Sequence, residues 1–308
     1  MAMKLINLIN PAQSECRYNV TTFPDGELHI KFLEELDRKE SYRVICRITN
    51  ADELFLLMQV ANVLNNINVL WDLRILYLMG MRMDRIISFR EPFTLKIITE
   101  IINNFGAETV CVFHSHSDRT LYELKPLQLD RCSEALIQLE NSIYNPDADK
   151  LEAGKTAICY PDKGAYKRYL LDYGFTYKDA IHKPDVITLK KVRDPETGEI
   201  KSIEFDGVEK DHEWPSYKTI TVVDDLCDAG GTFVGAAKLL HETFPNTKIN
   251  IYVRHLVNIK GITNLATHFD KVYFTNSYRD WERDTLLPSN VKVIDIVSDL
   301  STTDEFDF

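Results

Sequence analysis

The sequence predicts an α/β protein of two domains, each built on a mostly parallel sheet flanked by helices. The chain has 308 residues, and a length of this size favours two domains. Short runs rich in β-branched residues alternate with helical stretches, as in α/β layers with parallel strands. Hydrophobic residues make up 44% of the chain and charged residues 27%, so the sequence can fill a packed core and general disorder is excluded.

The predicted strands are short apolar runs bounded by polar or turn-forming residues. Their length favours strands over helices, and most contain several Val, Ile or Thr residues. In chain order they are Arg43–Ile48, Asp72–Leu78, Thr109–Phe113, Thr156–Tyr160, Val186–Leu189, Thr219–Val223, Lys248–Val253, Lys271–Phe274 and Val291–Ile296.

The predicted helices lie between these strands. Asp52–Asn65 has its apolar residues on one face. A second helix opens at Pro92 and is closed by Gly106, because proline favours the first turn of a helix and glycine its end. Lys163–Tyr173 precedes another glycine, and Thr232–Phe244 follows a Gly-Gly turn.

The domain boundary is predicted within residues 141–155, where charges and turn formers cluster. We therefore expect domains at 1–145 and 146–308, with the last segment of the chain packing back on the first domain. Asp194–Lys218 is polar, acidic and long for a loop, which predicts a mobile segment or a lid. Asp304–Phe308 is acidic and is expected to be disordered.

The net charge of −11 argues against a general nucleic-acid binder and against a partner of acidic membranes. It does not argue against a phosphate substrate, because nearby groups decide phosphate binding. The six cysteines form no Cys-x-x-Cys pair, so we expect reduced core residues rather than disulfides or a zinc site. The N-terminal apolar stretch is too short for a signal peptide, and a cytoplasmic protein is expected.

Thr219–Leu240 carries the most informative motif. An apolar strand runs into Asp224 and Asp225, and Asp228–Thr232 and an amphipathic helix follow. Two glycines let the backbone bend so that its N–H groups point inward, and the helix start adds further N–H groups, so such a turn holds one phosphate. The carboxylates can accept hydrogen bonds from sugar hydroxyls or help hold magnesium. The whole string predicts a sugar-phosphate site, whereas Gly-Gly-Thr alone would indicate only a strand-to-helix turn.

Five further segments accompany this loop. Each has a structural explanation when taken singly: Pro24-Asp25-Gly26 is a good turn, and Asp162 is a good helix N-cap. In their order and spacing, the segments and VVDDLCDAGGT resemble the ribose-phosphate diphosphokinase (phosphoribosyl diphosphate synthetase) family of the phosphoribosyltransferase-like superfamily. The five segments are FPDGE at Phe23–Glu27, RMDR at Arg82–Arg85, HSD at His116–Asp118, YPDKG at Tyr160–Gly164 and KKVR at Lys190–Arg193.

The resemblance implies an enzyme of nucleotide biosynthesis with two phosphoribosyltransferase-like domains. The first would carry the ATP contacts and the second the ribose-phosphate loop. The implied reaction transfers the β,γ-diphosphoryl group of Mg–ATP to the C1 hydroxyl of ribose 5-phosphate and gives phosphoribosyl diphosphate and AMP. Mg²⁺ is the implied cofactor, and the implied partners are ATP, the sugar and further copies of the chain in a homo-oligomer.

The resemblance also implies a role for individual residues. They are, for ATP binding, Phe23, Asp25, Glu27, Arg82, Asp84, Arg85 and His116; for metal binding, His116 and Asp162; for catalysis, Lys190, Lys191 and Arg193; and for ribose-phosphate binding, Asp224, Asp225, Asp228, Ala229, Gly230, Gly231 and Thr232.

Some residues depart from the family pattern. Ala229 replaces the usual threonine of the phosphate loop, and Val192 interrupts the basic run, so either Lys191 or Arg193 takes the place of the family arginine. These departures support a second candidate function, in which the acceptor is a larger molecule such as ADP-ribose in NAD⁺ metabolism. A phosphoribosyltransferase is a third candidate and an inactive regulatory homologue a fourth. The sequence leaves open the general base, allosteric control and the size of the oligomer.

Overall fold

The computed structural model of the chain describes residues 3–125, 127–129, 156–167, 184–194, 200–209 and 212–298. The chain divides into two compact units. The first contains Met1–Ser133 and Ile296–Phe308, and the second contains Glu134–Asp295. The predicted boundary at residues 145 and 146 lies outside the described residues, and its position stays a prediction.

The first unit is built on a parallel sheet of five strands in the order β1-β4-β5-β6-β7. The strands β2 and β3 form a separate antiparallel pair. Pro11–Gln13 is a short 3₁₀ helix. The elements of this unit are β1 Lys4–Asn7, β2 Tyr18–Thr22, β3 Leu28–Phe32, β4 Tyr42–Ile48, α1 Ala51–Ile67, β5 Trp71–Leu78, α2 Thr94–Asn103, β6 Thr109–Val112, α3 Thr120–Glu123 and β7 Leu127–Leu129.

Helix α1 shows how local sequence fixes an element of this unit. Its N-cap Asn50 accepts a hydrogen bond from the backbone N–H of Glu53 at 3.0 Å, and the Glu53 carboxylate accepts one from the N–H of Thr49 at 2.6 Å. This reciprocal arrangement satisfies N–H groups that a helix start leaves without partners. The helix ends at Asn68, which adopts the left-handed conformation with φ 57°.

The side chain of Gln59 joins α1 to the β2–β3 hairpin. It accepts a hydrogen bond from the N–H of Ile30 at 3.0 Å and donates one to the carbonyl of Leu28 at 2.7 Å. The hairpin, which carries the Phe23–Glu27 turn, is therefore fixed against a helix of its own unit.

The second unit is built on a sheet of seven strands in the order β10-β9-β8-β11-β12-β13-β14. All its neighbouring strands are parallel except β9 and β10, which are antiparallel. Residues 163–167 are helical as well. The elements of this unit are β8 Thr156–Tyr160, β9 Asp185–Arg193, β10 Ile200–Phe205, β11 Thr219–Cys227, α4 Gly231–Thr243, β12 Lys248–Leu256, α5 Ile259–His268, β13 Lys271–Thr275, α6 Trp281–Asp284 and β14 Val291–Ile294.

The core of the second unit lies between its sheet and the apolar faces of α4 and α5. Phe233 and Leu240 of α4 pack there with Leu265 of α5 against Val222 and Ile251 of the central strands. Burial of large apolar side chains of this kind supplies most of the free energy that holds a helix on a sheet. The packing therefore fixes where α4 begins relative to the end of β11.

The sheet predictions are confirmed, since every predicted strand corresponds to an observed one. The short strands β1, β2, β3 and β7 and the helix α5 were not predicted. Strand β11 continues past Val223 to Cys227, so Asp224 and Asp225 lie within it rather than after it. Only residues 163–167 of the predicted helix Lys163–Tyr173 are described, and the tail Asp304–Phe308 lies outside the described residues.

The prediction that Asp194–Lys218 is an irregular lid was wrong for its central part. Ile200–Phe205 forms β10 and pairs with β9, so that Lys190 and Lys191 lie in a ladder instead of at the start of a loop. The physical reason is an alternation of apolar and polar residues within this segment: Ile203 and Phe205 face one side, and Ser202 and Glu204, which share a side-chain hydrogen bond, face the other.

Two further expectations concern the chain as a whole. The cysteines among the described residues are free and buried, as predicted; Cys132 lies outside them. No helix in the described ranges is long and apolar enough to cross a membrane.

Candidate active site

The predicted phosphate loop joins β11 to α4 in the second unit. Gly230 has φ 85°, a left-handed conformation that glycine adopts without steric cost, and it is the N-cap of α4. As a glycine, this N-cap residue has no side chain with which to cap the helix, and the first turn, which is among the described residues, contains no acidic residue. The N–H groups of that first turn therefore face a position suited to an anion.

The two adjacent carboxylates of β11 differ in exposure. Asp225 is 4% exposed, whereas Asp224 is half-buried and accepts a hydrogen bond from the N–H of Asp225 at 2.9 Å. Because consecutive residues of a strand point to opposite faces, the two side chains diverge. Asp224 is thus the more accessible of the pair.

Helix α5 contacts the phosphate loop through three residues. Asn258 donates a hydrogen bond to the carboxylate of Asp228 at 3.0 Å, and Asn264 donates one to the carbonyl of Ala229 at 2.7 Å. At Gly261 a Cβ atom would lie 2.4 Å from the carbonyl oxygen of Asp228, a separation that would force the backbone apart. These contacts make α5 the structural support of the loop.

Asp162 follows β8, and its carboxylate contacts both a helix start and a lysine. Its carboxylate accepts a hydrogen bond from the N–H of Ala165 at 3.0 Å, which is the N-cap interaction, and pairs with the ammonium of Lys191 at 2.9 Å. The neighbouring Lys190 pairs instead with Glu204 of β10 at 3.3 Å, and both of these side chains are about half exposed. The two lysines therefore take different partners.

In the first unit, the predicted RMDR and HSD segments meet. The carboxylate of Asp84 accepts hydrogen bonds from Arg85 at 2.7 and 2.9 Å and from the hydroxyl of Ser117 at 2.6 Å. The N–H of His116 donates to the sulfur of Met81 at 3.3 Å. The hydrogen bond from Arg85, and after it that from Ser117, lowers the pKa of Asp84 to about 2. The carboxylate is therefore ionised at neutral pH.

The hairpin turn of the first unit presents the FPDGE segment to solvent. Gly26 has φ 93°, and the carboxylate of Asp25 accepts a hydrogen bond from the N–H of Glu27 at 3.2 Å. The ring of Phe23 lies 5.9 Å from that of His29 and is 45% exposed. An exposed aromatic ring can stack on a base, and the neighbouring carboxylates can accept hydrogen bonds from that base.

The side chains of the predicted site that could bind a divalent cation are mainly carboxylates. Magnesium prefers oxygen ligands, so the accessible carboxylates of Asp162 and Asp224 fit this ion better than the imidazole of His116. No group of three or more His, Cys, Asp or Glu side chains in the described part of the chain is arranged as a complete metal site. His116 belongs to the first unit and Asp162 to the second.

Comparison with known proteins identifies relatives that are named ribose-phosphate pyrophosphokinase. No protein-family model matches the chain. The chain is 26% identical over 302 residues to ribose-phosphate pyrophosphokinase of Pyrococcus abyssi, covering 94% of this chain and 89% of that protein. It is 29% identical over 225 residues to ribose-phosphate pyrophosphokinase of Mycoplasma genitalium, covering 71% of this chain. The chain is thus similar to ribose-phosphate pyrophosphokinases, the family that its sequence motifs resemble.

A solved structure has the same fold as this chain. The crystal structure of phosphoribosylpyrophosphate synthetase from Mycobacterium smegmatis matches with a TM-score of 0.73 and 16% identity, covering 98% of this chain and 97% of that one. The predicted α/β architecture with phosphoribosyltransferase-like domains is thereby confirmed. The matched region spans 61% of the length of the Mycoplasma genitalium protein.

The structure brings some of the predicted site residues together. Asp84, Arg85 and the HSD segment form one cluster, and the loop residues from Asp228 to Thr232 form another. Arg193 ends β9, but its side chain is outside the described residues. The individual roles of all predicted site residues stay predictions.

Sequence reasoning missed Ser117, Asn258, Gly261 and Asn264. Ser117 lies between two predicted site residues, and its hydroxyl is the type of donor that binds a carboxylate. Asn258, Gly261 and Asn264 are spaced three residues apart, which places them along one face of a helix. That spacing is the signal that could have identified them.

Proposed function

We propose that the chain catalyses transfer of the β,γ-diphosphoryl group of Mg–ATP to the C1 hydroxyl of ribose 5-phosphate, giving phosphoribosyl diphosphate and AMP. The observation that carries this proposal is the loop from Asp228 to the uncapped start of α4, directly after the Asp224–Asp225 pair. This loop occurs in a chain that aligns with a named ribose-phosphate pyrophosphokinase over 94% of its length.

The second unit would bind the sugar phosphate. Backbone N–H groups of the loop and the dipole of α4 favour the dianionic 5′-phosphate. Gly231 and Thr232 provide the first N–H groups of the helix, and Asp224 is accessible for hydrogen bonds from ribose hydroxyls. Asp225, although predicted for the same role, is 4% exposed, so Asp224 carries the larger share in this proposal.

The first unit would bind ATP. Arginine suits forked contacts with phosphate oxygens, so Arg82 and Arg85 are assigned to the triphosphate. Asp84, ionised and held by Ser117, fixes the guanidinium of Arg85. The hairpin residues Phe23, Asp25 and Glu27 and the imidazole of His116 remain assigned to ATP as the resemblance implies.

Catalysis would depend mainly on positioning and charge. Bound Mg²⁺ would neutralise phosphate charge, and Asp162 is the carboxylate of the second unit proposed to hold it, while metal binding by His116 stays a separate prediction for the first unit. The predicted catalytic cations of β9 are Lys190, Lys191 and Arg193. We assign to Lys191, which pairs with Asp162, the larger share in stabilising the negative charge that develops on the transferring group and on departing AMP.

The three competing functions have less support. None of the described contacts favours ADP-ribose over ribose 5-phosphate, and the named relatives favour neither a phosphoribosyltransferase nor an inactive homologue. A homo-oligomer and a cytoplasmic location stay predictions from the sequence.

The test is a product analysis. The chain is incubated with Mg–ATP and ribose 5-phosphate, and mass spectrometry quantifies AMP and the sugar product. Two parallel reactions serve as controls: Mg–ATP without an acceptor, and Mg–ATP with ADP-ribose as the acceptor. We expect AMP and phosphoribosyl diphosphate in equal amounts, and we expect Asp224→Asn to lower their formation by about 100-fold. Release of ADP in place of AMP, or no ATP consumption with any ribose phosphate, would contradict the proposal.

A further inference from the structure

We infer that one face of α5, formed by Asn258, Gly261 and Asn264, sets the conformation of the phosphate loop and thereby determines affinity for the sugar phosphate. The inference rests on the proposed function and deepens it, because it names residues that position the acceptor site without touching the acceptor. This set of three residues is called the α5 buttress below.

Asn258 connects two structures with one amide. Its carbonyl oxygen accepts a hydrogen bond from the N–H of Lys260 at 3.0 Å, which caps α5, and its NH₂ group donates to the Asp228 carboxylate at 3.0 Å. Because a single planar amide makes both contacts, the start of α5 and the side chain of Asp228 are held in a fixed relation. The Asp228 carboxylate is turned toward α5.

The backbone carbonyls of Cys227, Asp228 and Ala229 each accept a hydrogen bond from a nearby donor. The carbonyl of Cys227 accepts a hydrogen bond from the N–H of Val257 at 2.9 Å. That of Asp228 accepts one from the thiol of Cys227 at 3.3 Å and lies against Gly261. That of Ala229 accepts one from Asn264 at 2.7 Å.

This arrangement fixes the direction of the loop N–H groups. In a trans peptide the N–H of one residue points opposite to the carbonyl of the residue before it. Carbonyls of residues 227, 228 and 229 directed toward their donors therefore direct the N–H groups of Asp228, Ala229 and Gly230 to the other side of the loop. Successive N–H groups on one side form an anion-binding concavity, which the first turn of α4 extends.

The buttress also changes how Asp228 contributes. A carboxylate and a phosphate repel each other at short distance, so a carboxylate turned to Asn258 leaves only the backbone N–H of Asp228 for the 5′-phosphate. Gly261 contributes by having no side chain, since a Cβ there would lie 2.4 Å from the Asp228 carbonyl and displace the loop. The buttress residues are positioning residues, and the loop backbone is the ligand.

The test compares two asparagines that bond to backbone carbonyls of the same unit. Asn264→Ala removes the donor to Ala229, whereas Asn290→Ala removes donors to Ala266 at 2.9 Å and Phe269 at 2.9 Å, at the opposite end of α5. Binding of ribose 5-phosphate is measured by calorimetry without ATP, and steady-state kinetics give KM for each substrate and kcat. Thermal unfolding reports the stability of each variant.

We expect Asn264→Ala to weaken ribose 5-phosphate binding about tenfold and to raise the corresponding KM equally, with KM for ATP changed less than twofold. Asn290→Ala is expected to lower the unfolding temperature at least as much while leaving ribose 5-phosphate binding unchanged. Asn258→Ala is the second variant and should weaken binding in the same direction as Asn264→Ala, since both release the loop.

The results separate this inference from the proposed function. If the parent protein binds ribose 5-phosphate but Asn264→Ala and Asn258→Ala bind it as tightly, the buttress has no role in affinity and the inference is wrong. If the parent protein itself does not bind ribose 5-phosphate, the proposed function fails and the inference fails with it. Equal weakening by Asn264→Ala and Asn290→Ala would also overturn the inference, because general destabilisation would then explain the loss.

Discussion

At the scale of single residues, the strand register of β9 distinguishes its two lysines. Successive side chains of a strand alternate between faces, so Lys190 and Lys191 point in opposite directions. Lys191 reaches Asp162 at 2.9 Å and is 22% exposed, whereas Lys190 reaches Glu204 on the neighbouring strand. Of these two lysines, only Lys191 lies beside Asp162, the carboxylate proposed to hold magnesium. The geometry therefore favours Lys191, whereas the sequence indicated both lysines as candidates for catalysis.

This difference predicts unequal effects of two matched substitutions. Lys191→Ala should lower kcat by about 100-fold or more, because a cation that stabilises the transition state would be lost. Lys190→Ala should lower kcat less than about fivefold, because it removes a solvent-exposed ion pair of small energetic value. Steady-state kinetics at saturating ATP and ribose 5-phosphate, with calorimetric ATP binding as a control, measure both. A larger loss with Lys190→Ala would return the catalytic role to Lys190.

The sequence predicted residues of the site when their chemistry was local. Asp224, Asp228 and the two glycines lie within one short motif, and that motif specifies strand, turn and helix together. The sequence allows Asp162 as either an N-cap or a ligand, and the structure shows the cap, which leaves its second carboxylate oxygen for Lys191. The spacing of Asn264 places it on a helix face with Asn258 and Gly261, but its partner Ala229 could not be assigned from sequence because it is 35 residues away.

At the scale of secondary-structure elements, α4 links the phosphate loop to the hairpin of β9 and β10. The helix starts at Gly231, and one turn later Gly235 faces Ile203 of β10. Ile203 lies directly opposite Lys191 in the antiparallel ladder. A Cβ at Gly235 would lie 2.9 Å from Cγ1 of Ile203, which is closer than packed carbon atoms approach. Glycine at this position therefore allows β10 to pack directly on α4.

This contact predicts that the effect of Gly235→Ala on stability changes sign with the residue at position 203. Alanine normally stabilises a helix by about 1 kcal/mol relative to glycine, but overpacking costs about 1–3 kcal/mol. Gly235→Ala should therefore destabilise the second unit by about 1 kcal/mol in the parent protein. In an Ile203→Ala background, which removes the opposing Cγ1, the same substitution should stabilise it by about 1 kcal/mol.

Urea unfolding provides the measurement. Trp214 packs 4.9 Å from Phe205 of β10 and 5.5 Å from Phe244, so tryptophan fluorescence includes a signal from this region. The comparison is a double-mutant cycle over the two positions, which isolates the pairwise term. An equal effect of Gly235→Ala in both backgrounds would show that Ile203 does not limit the approach of β10 to α4.

The elements that sequence patterns predicted are those whose own residues determine their conformation. Central strands such as Trp71–Leu78 and Lys248–Leu256 are buried along nearly their whole length, and their short apolar runs identified them as buried parallel strands. Strand β10 escaped prediction because Ile200–Phe205 is half polar and lies at a sheet edge, where only one neighbouring strand specifies it. Its position depends on pairing with β9 and on packing against α4, and no local sequence pattern specifies these contacts.

At the scale of the whole molecule, each compact unit contains its own sheet and its own set of proposed ligand contacts. The sequence predicted two domains from length and alternation, and the five-stranded and seven-stranded sheets belong to different units. The proposed contacts to ribose 5-phosphate all lie in the second unit, and the proposed Asp84–Arg85–Ser117 cluster lies in the first. Binding of one ligand should therefore stabilise one unit more than the other.

Hydrogen exchange read by mass spectrometry tests this expectation segment by segment. A ligand at 100 times its dissociation constant stabilises the state that binds it by about 2.7 kcal/mol, which corresponds to about 100-fold slower exchange through openings that release it. Ribose 5-phosphate alone should slow exchange in β11, α4 and α5 by up to that factor and change the first unit less than twofold. Mg–ATP alone should protect residues 81–85 and 114–118. Ribose without phosphate is the control and should protect neither unit, because the loop would bind the anionic group. Protection by ribose 5-phosphate confined to the first unit would place the acceptor site elsewhere and remove the phosphate loop from its assigned role.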